Sequence, residues 1–389
     1  MNNWKKCKLG DICSKVTSGG TPLTSNALYY NGIIPWLNTK EVKNCRIYET
    51  EKYISKLGLE NSSAKWIEAN SVIIAMYGAT AGKVAINKIP LTTNQACCNL
   101  TINHEKADYN FIYYLILNNF ETLEILATGA AQQNLNLNTI TSLEITLPPL
   151  EEQRQIATIL SSIDDKIELL HEQNKTLEEL AQTLFRHYFI ENPNPSWQEK
   201  PLSDFGNIIC GKTPSKKVDE YYNGDIPFIK IPDMHGNIFV FKTNECLSEL
   251  GSQTQINKFI PKKSICISCI ATVGVVSMNA FESHTNQQIN SIIPKKEHYR
   301  YFLYLYMKHL YDYLQSMASG GTATANLNTR DFSNIHILMP DEEMMINFNG
   351  KTSEYFDKIF KNLEQIQTLE NMRDILIPKL LNGEIKINN

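Results

Sequence analysis

The stretch Gly78-Ala79-Thr80-Ala81-Gly82-Lys83-Val84 has the small residues and the lysine with which a loop cradles phosphate. It is one residue too short for a nucleotide-binding loop and lacks the Ser or Thr after the lysine that would hold magnesium. Cys266 and Cys269 have the spacing of half a zinc site, yet no second pair accompanies them, so they read as buried strand thiols. The eight histidines are scattered, and none shares a helix face with a carboxylate pair; His171 and His187 read as helix-surface residues. There is no Gly-x-Gly-x-x-Gly loop and no Asp/Asn-Pro-Pro-aromatic motif of the kind that transfers methyl groups to amines. Pro148-Pro149 runs into Leu150 and starts a helix, and Glu384-Ile385-Lys386 lies in a tail rather than in a nuclease centre. The chain shows no catalytic site.

Composition is that of an ordinary globular protein and by itself names no function. The 389 residues are 42% apolar and 20% charged with a net charge of -4, too apolar and too nearly neutral for a disordered chain. No apolar run approaches the ~18 residues needed to span a bilayer. The first residues lack the apolar core of a secretory signal, and nine cysteines without framework spacing suit free thiols; a cytoplasmic setting is expected.

The strongest signal is an internal repeat at an offset of about 192 residues. Thr21-Pro22 returns as Thr213-Pro214, and Tyr29-Tyr30-Asn31-Gly32 as Tyr221-Tyr222-Asn223-Gly224. Ala79-Thr80-Ala81-Gly82 returns as Ala271-Thr272-Val273-Gly274, Thr93-Asn94-Gln95 as Thr285-Asn286-Gln287, and Asn134-Leu135-Asn136 as Asn326-Leu327-Asn328. Each copy opens with about 150 residues in which short β-branched runs, such as Ser71 to Gly78 and Ser264 to Cys269, are punctuated by Gly, Pro and Asn. Helices are expected from Phe111 to Leu126 and from Tyr301 to Leu314, so the globular parts are mixed α and β.

Each copy closes with a long amphipathic helix. In the first, Ile156, Leu160, Ile163, Ile167, Leu170, Asn174, Leu177, Ala181, Leu184 and Tyr188 alternate at spacings of four and three. In the second, Phe348, Thr352, Tyr355, Ile359, Asn362, Ile366, Leu369, Arg373, Leu376 and Leu380 do the same. These are heptad seams, expected to pair as an antiparallel coiled coil, with Asn174 and Asn362 helping to fix register. Asn192-Pro193 is expected to stop the first helix and Pro378 to mark the end of the second. The expected organisation is a globular domain at 1–149, a helix at 150–191, a second globular domain at 192–340 and a second helix at 341–389. The fold class is α+β, with two pseudo-symmetric mixed domains separated by the two-helix coiled coil.

Charge is partitioned along the same lines. Residues 1–149 carry 13 basic and 11 acidic side chains and residues 191–340 carry 14 and 13, whereas 150–190 carry 4 and 8 and 341–389 carry 6 and 9. Acidity sits on the helices, so a phosphate backbone is better tolerated by the globular parts. A plain solvated surface explains this bias equally well.

Several of these motifs carry a resemblance. Ser18-Gly19-Gly20-Thr21-Pro22, Tyr30-Asn31-Gly32 with Ile34-Pro35-Trp36, and Met76 to Val84 followed by Thr93-Asn94-Gln95 resemble a target-recognition domain. Leu147-Pro148-Pro149-Leu150-Glu151-Glu152-Gln153-Arg154-Gln155-Ile156-Ala157 and Ile375 to Ile385 resemble the central and distal spacers of type I restriction-modification specificity subunits. The resemblance covers essentially the whole chain. It implies a DNA-binding subunit without catalysis of its own, whose two domains read the halves of a bipartite site in double-stranded DNA. It further implies two modification subunits that use S-adenosylmethionine, restriction subunits that use ATP and magnesium, and no cofactor in this chain. The second copy departs at Lys212 for Gly20, Phe228 for Trp36, and Glu343-Met344-Met345 for the Glu-Gln-Arg helix opening, so the halves are expected to read different sequences.

On this reading the Gly- and Thr-rich loops supply phosphate contacts through Ser18, Gly20, Thr21 and Lys83 in the first copy and Lys212, Thr213 and Thr272 in the second. Base contacts are placed, from loop position, on Lys40, Tyr77 and Gln133 and on Lys230, His235 and Asn237. The recurring Asn94-Gln95 and Asn286-Gln287 are assigned to the shared fold. The helix-pairing residues are Ile163, Ile167, Leu170, Asn174, Leu177, Leu184, Ile359, Asn362, Ile366, Leu369 and Leu376. A helix of roughly 34 residues is ~50 Å long and could act as a ruler between half-sites; four residues inserted near Asn174 would then shift the preferred spacer. Two other classes stand beside this reading: an assembly scaffold with no DNA contact, and an independent methyltransferase, for which no motif is present.

Overall fold

The computed structural model describes residues 4–119, 123, 125, 135–318 and 325–386. The chain folds as two compact units, Met1–Ile167 with Thr368–Asn389, and Glu168–Gln367.

In the first unit, Lys5–Lys8 pairs antiparallel with Glu144–Leu147, joining the ends of the globular part. Its main sheet has five strands in the order Cys13–Ser18, Cys97–Ile102, Val72–Ala75, Val84–Asn87 and Cys45–Ile47, antiparallel except for the last pair. The aliphatic run Val72-Ile73-Ile74-Ala75 forms a central strand because both of its faces are covered. Val72 and Ile74 pack on one side with Phe111, Ile112 and Leu115, and Ile73 and Ala75 on the other with Leu37 and Leu91. The helix Tyr109–Asn118 starts where Asp108 caps it, the carboxylate accepting from the Phe111 amide at 3.0 Å. A second sheet orders Lys52–Ile54, Ile34–Leu37, Leu91–Thr93 and Trp66–Ile67.

The second unit repeats the first unit's main sheet strand for strand. Gln198–Pro201 pairs with His336–Met339, and the five-stranded sheet runs Gly206–Cys210, Ile289–Pro294, Ile265–Ser268, Val276–Asn279 and Phe239–Val240, again with a parallel last pair. The expected helix near 301–314 is two, Arg300–His309 and Tyr311–Ala318. The helix expected at Phe111 to Leu126 is described as Tyr109–Asn118, and most residues from 120 to 126 lie outside the described residues.

Both long helices are present, a central one at Leu150–Phe185 and a C-terminal one at Glu342–Leu381, each contributing an arm to both units. In the second unit they run antiparallel: Asn174 meets Asn362 at 2.8 Å and Lys351 donates to the Tyr188 hydroxyl at 2.7 Å. In the first unit Arg373 meets Asp164 at 3.0 Å, and Ile156, Leu160, Ile377 and Leu380 share one core. The seam is buried at Ile163, Ile167, Leu170, Asn174, Ile359, Asn362 and Ile366 and half-buried at Leu177, Leu184, Leu369 and Leu376. The α+β fold with an antiparallel coiled coil is therefore the observed one.

The central helix ends before Asn192-Pro193, as the sequence indicates, closing with a π-helical turn at Arg186–Glu191. The C-terminal helix departs from the pattern read in the sequence. Pro378 does not end the C-terminal helix but lies inside its last turns. There the stop is Gly383, at φ 71°, whose left-handed backbone lets the amide of Glu384 return to the carbonyl of Lys379 at 3.0 Å.

Candidate nucleic-acid interface

In the first unit four segments converge around the end of the strand Cys13–Ser18. Gly20 is buried, its amide donating to the Thr93 carbonyl at 2.9 Å, and a Cβ there would stand 2.3 Å from the Ala64 nitrogen. Its carbonyl accepts from the Trp36 indole at 2.9 Å. Gly20 thus sets the turn by close packing, and its amide is not open to a ligand. The next residue, Thr21, donates its hydroxyl to the side-chain oxygen of Gln95, and Tyr30 fixes the loop by donating to the Pro22 carbonyl at 2.6 Å. Ser18, Met76, Tyr77, Gln95, Asn136 and Asn138 line a hollow of about 360 Å³.

The loop that resembles a phosphate cradle is a tight 3-10 turn, Gly78–Thr80, between two central strands, and Lys83 closes it through backbone bonds. Thr80 ties this turn to the one carrying Lys40, donating to the Thr39 carbonyl at 2.9 Å. Lys40 is exposed and pairs with Glu51 at 2.5 Å. That bond raises the lysine pKa and holds the Glu51 carboxyl below the usual range. Ser18, Thr21, Tyr77 and the Lys40 turn are thus brought together; Gln133 lies outside the described residues.

The second unit builds the same frame with different outer residues. Lys212 replaces Gly20; its amide still reaches the Thr285 carbonyl, at 3.0 Å, while the residue is exposed. Thr213 donates to Gln287 at 2.5 Å, and Tyr222 to the Pro214 carbonyl at 2.7 Å. Lys230 is half-buried against the Phe228 ring and ion-paired with Glu245, which lowers the Glu245 pKa through that hydrogen bond. A buried acid braces the turn: Asp233 accepts from the Lys230 amide at 2.8 Å and from Asn244, as Glu41 accepts from the amides of Asn38 and Glu51 in the first unit. His235 and Asn237 are exposed beside Gly236, and Asn237 lines another hollow with Gly274, Tyr304 and Lys308. Thr272 is exposed next to Ala271, whose φ of 64° is rare for a residue with a Cβ.

Among the described residues no group of three or more His, Cys, Asp or Glu is placed to hold a metal, and no helix is long and apolar enough to cross a membrane. Cys266 and Cys269 are buried, the first on a central strand and the second just after it, and burial pushes their thiols up to about 12 and about 11. What the arrangement offers chemically is hydroxyls, carboxamides and lysines on braced turns, a set suited to binding a polar polymer.

The profile described as "Type I restriction modification DNA specificity domain" matches residues 1–179 and again 194–372. The chain belongs to that family. Its role is accordingly DNA-sequence specificity, without catalysis in this chain. Among relatives of these specificity subunits, the Haemophilus influenzae "Type I restriction enzyme HindI specificity subunit" is 33% identical, the match covering 99% of this chain and 100% of that one. The Methanocaldococcus jannaschii MjaIX specificity subunit is 28% identical over 99% of this chain and 94% of its own. The crystal structure of a type I S subunit from M. genitalium shares the fold, with a TM-score of 0.61 at 17% identity, covering 97% of this chain and 96% of the other.

Sequence reasoning missed the partners of the specificity subunit's candidate lysines, Glu51 and Glu245, and the exposure of Gln95 and Gln287. Only Asn94 and Asn286 of those recurring pairs are buried, each turning back on the backbone two residues ahead. The signal was available: Thr21 to Gln95 and Thr213 to Gln287 are separated by the same 74 residues.

Proposed function

We propose that this specificity subunit reads a bipartite target in duplex DNA, one half-site on each repeat, with the paired helices setting the interval between half-sites. The observation that carries the proposal is the duplicated loop frame with unlike outer residues. Thr–Gln, Tyr–Pro and acid-braced turns recur in both units, while Gly20, Asn38 and Lys40 give way to Lys212, Lys230 and Pro232. Equal frames suit one kind of polymer; unlike side chains suit two sequences. Ser18, Lys83, Lys212 and Thr272, with the main-chain amides of Thr21 and Thr213, are assigned to the phosphate backbone, and Lys40, Tyr77, Lys230, His235 and Asn237 to base edges.

Two modification subunits carrying S-adenosylmethionine, and restriction subunits using ATP and magnesium, would supply the chemistry in the cytoplasm. The chain itself would hold none of these groups. Co-expression with its modification subunit and methylation mapping of host DNA test the reading. Two short conserved half-sites at a constant interval are expected. Methylation without a sequence motif, or purified complex indifferent to duplex DNA, would overturn it.

A further inference from the structure

Gln95 and Gln287 occupy one structural position in the two units, and both are exposed. Each carboxamide oxygen accepts a hydrogen bond from the hydroxyl of a threonine on the facing loop, Thr21 or Thr213. That loop is in turn held by a tyrosine hydroxyl on the carbonyl of the adjoining proline, at 2.6 and 2.7 Å. With the oxygen committed, the nitrogen end is left to solvent; it makes no hydrogen bond among the described residues. A polar side chain on the surface gains little stability from such a bond, so a brace built twice, across 74 residues each time, points to a use for the donor it orients. Its setting is a hollow shared with Ser18 and Tyr77 in the first unit and the neighbourhood of exposed Lys212 in the second.

We infer that Gln95 and Gln287 are a matched pair of sequence-independent contacts, each donating its carboxamide N–H to a phosphate oxygen of the DNA backbone, with Thr21 and Thr213 as positioning residues. The inference rests on the DNA-reading function proposed above. Two repeats that read different half-sites can use an identical, identically braced group only on what every half-site shares, and that is the sugar-phosphate backbone. The donor is neutral, so it adds affinity without displacing counterions, unlike a lysine.

The test uses the full chain with a duplex of arbitrary sequence and with its mapped target, titrated over a range of salt. Gln95→Ala and Gln287→Ala should each weaken binding about tenfold to both duplexes, with the slope of log affinity against log salt unchanged. Gln95→Glu and Gln287→Glu keep the acceptor for the threonine but put a negative oxygen where the donor was. They should fold as wild type by thermal melting and bind more weakly than the alanine variants. Thr21→Val and Thr213→Val should give part of the alanine loss. Glutamate variants that bind like wild type, or a loss confined to the specific target, would overturn the inference alone. A wild-type chain that ignores every duplex would remove the DNA reading and this inference together.

Discussion

Asn174 and Asn362 face each other across the helix seam of the second unit, the Asn362 amide donating to the Asn174 side-chain oxygen at 2.8 Å, with Gln173 accepting from the same nitrogen. Both residues are buried, and the Asn174 nitrogen and the Asn362 oxygen have no hydrogen-bond partner among the described residues. Such a pair gives less stability than two leucines but penalises any sliding that sets one asparagine against a hydrocarbon. Asn362→Leu alone should therefore cost about 1–3 kcal/mol by stranding Asn174. The double replacement with leucine should recover that loss or exceed wild type. Chemical denaturation of the wild type and the two variants checks the order; a double variant no better than the single would show that the pair is not self-contained.

The first unit uses charge in its own stretch of the seam. Asp164, buried, accepts from the Tyr114 hydroxyl at 2.5 Å and from Arg373 at 3.0 Å, so the helix of the globular part and both long helices meet on one carboxylate. Burial and the adjacent carboxylate push the Tyr114 hydroxyl far above its ordinary pKa, so it is a donor at any working pH. Arg373→Met leaves the buried Asp164 carboxyl group under-paired and should cost about 3–5 kcal/mol, whereas Tyr114→Phe removes a single donor and should cost about 1–3 kcal/mol. A double-mutant cycle by thermal melting is expected to show coupling between the two sites. Additive losses would mean that the three groups do not act as one network.

His284 makes the second unit acid-sensitive. It is fully buried beside Phe259, with Ser252 Oγ 2.9 Å from its Nε2, and burial lowers its pKa from 6.5 to about 4. Because the folded state resists protonation, the unfolded chain binds the extra proton between those values, and stability falls as the pH drops through that window. The difference amounts to about 2 kcal/mol at pH 5 and no more than about 3–4 kcal/mol below pH 4. The first repeat has Thr92 at this position, its hydroxyl on the Pro35 carbonyl at 2.9 Å. His284→Thr should flatten the pH dependence of unfolding between pH 7 and 5; an unchanged slope would place the acid sensitivity elsewhere.

What could be read in advance divides by range along the chain. The seam was legible because a 3.5-residue period sustained from Ile156 to Tyr188 leaves helix as its only accommodation, and the duplication at 192 residues announced two like domains. Strands such as Val72–Ala75 were legible as aliphatic runs. The end at Gly383 was missed because a proline in a last turn forfeits a hydrogen bond without breaking the helix, while the glycine acts through backbone sign alone. Arg373 was visible as a flaw in the heptad pattern, but its answer, Asp164, lies 209 residues away, where no local period points to it. The candidate lysines were chosen by type; their glutamate partners depend on how separate turns fold together.

A ruler made of paired helices should lengthen with them. Seven residues inserted into each long helix, opposite one another beside Asn174 and Asn362, preserve the heptad phase of both seams. Each helix lengthens by about 10 Å at 1.5 Å per residue, close to three base pairs at 3.4 Å per step. Methylation mapping should then return the same two half-site sequences with a spacer longer by about three base pairs. Insertion into one helix alone should instead break the register of the seam and lower stability, because every buried side chain beyond the insertion meets the wrong partner. A lengthened protein that keeps the original spacer would show that the interval is set by something other than the paired helices, and the assignment of one half-site to each repeat would have to be rebuilt from the loops alone.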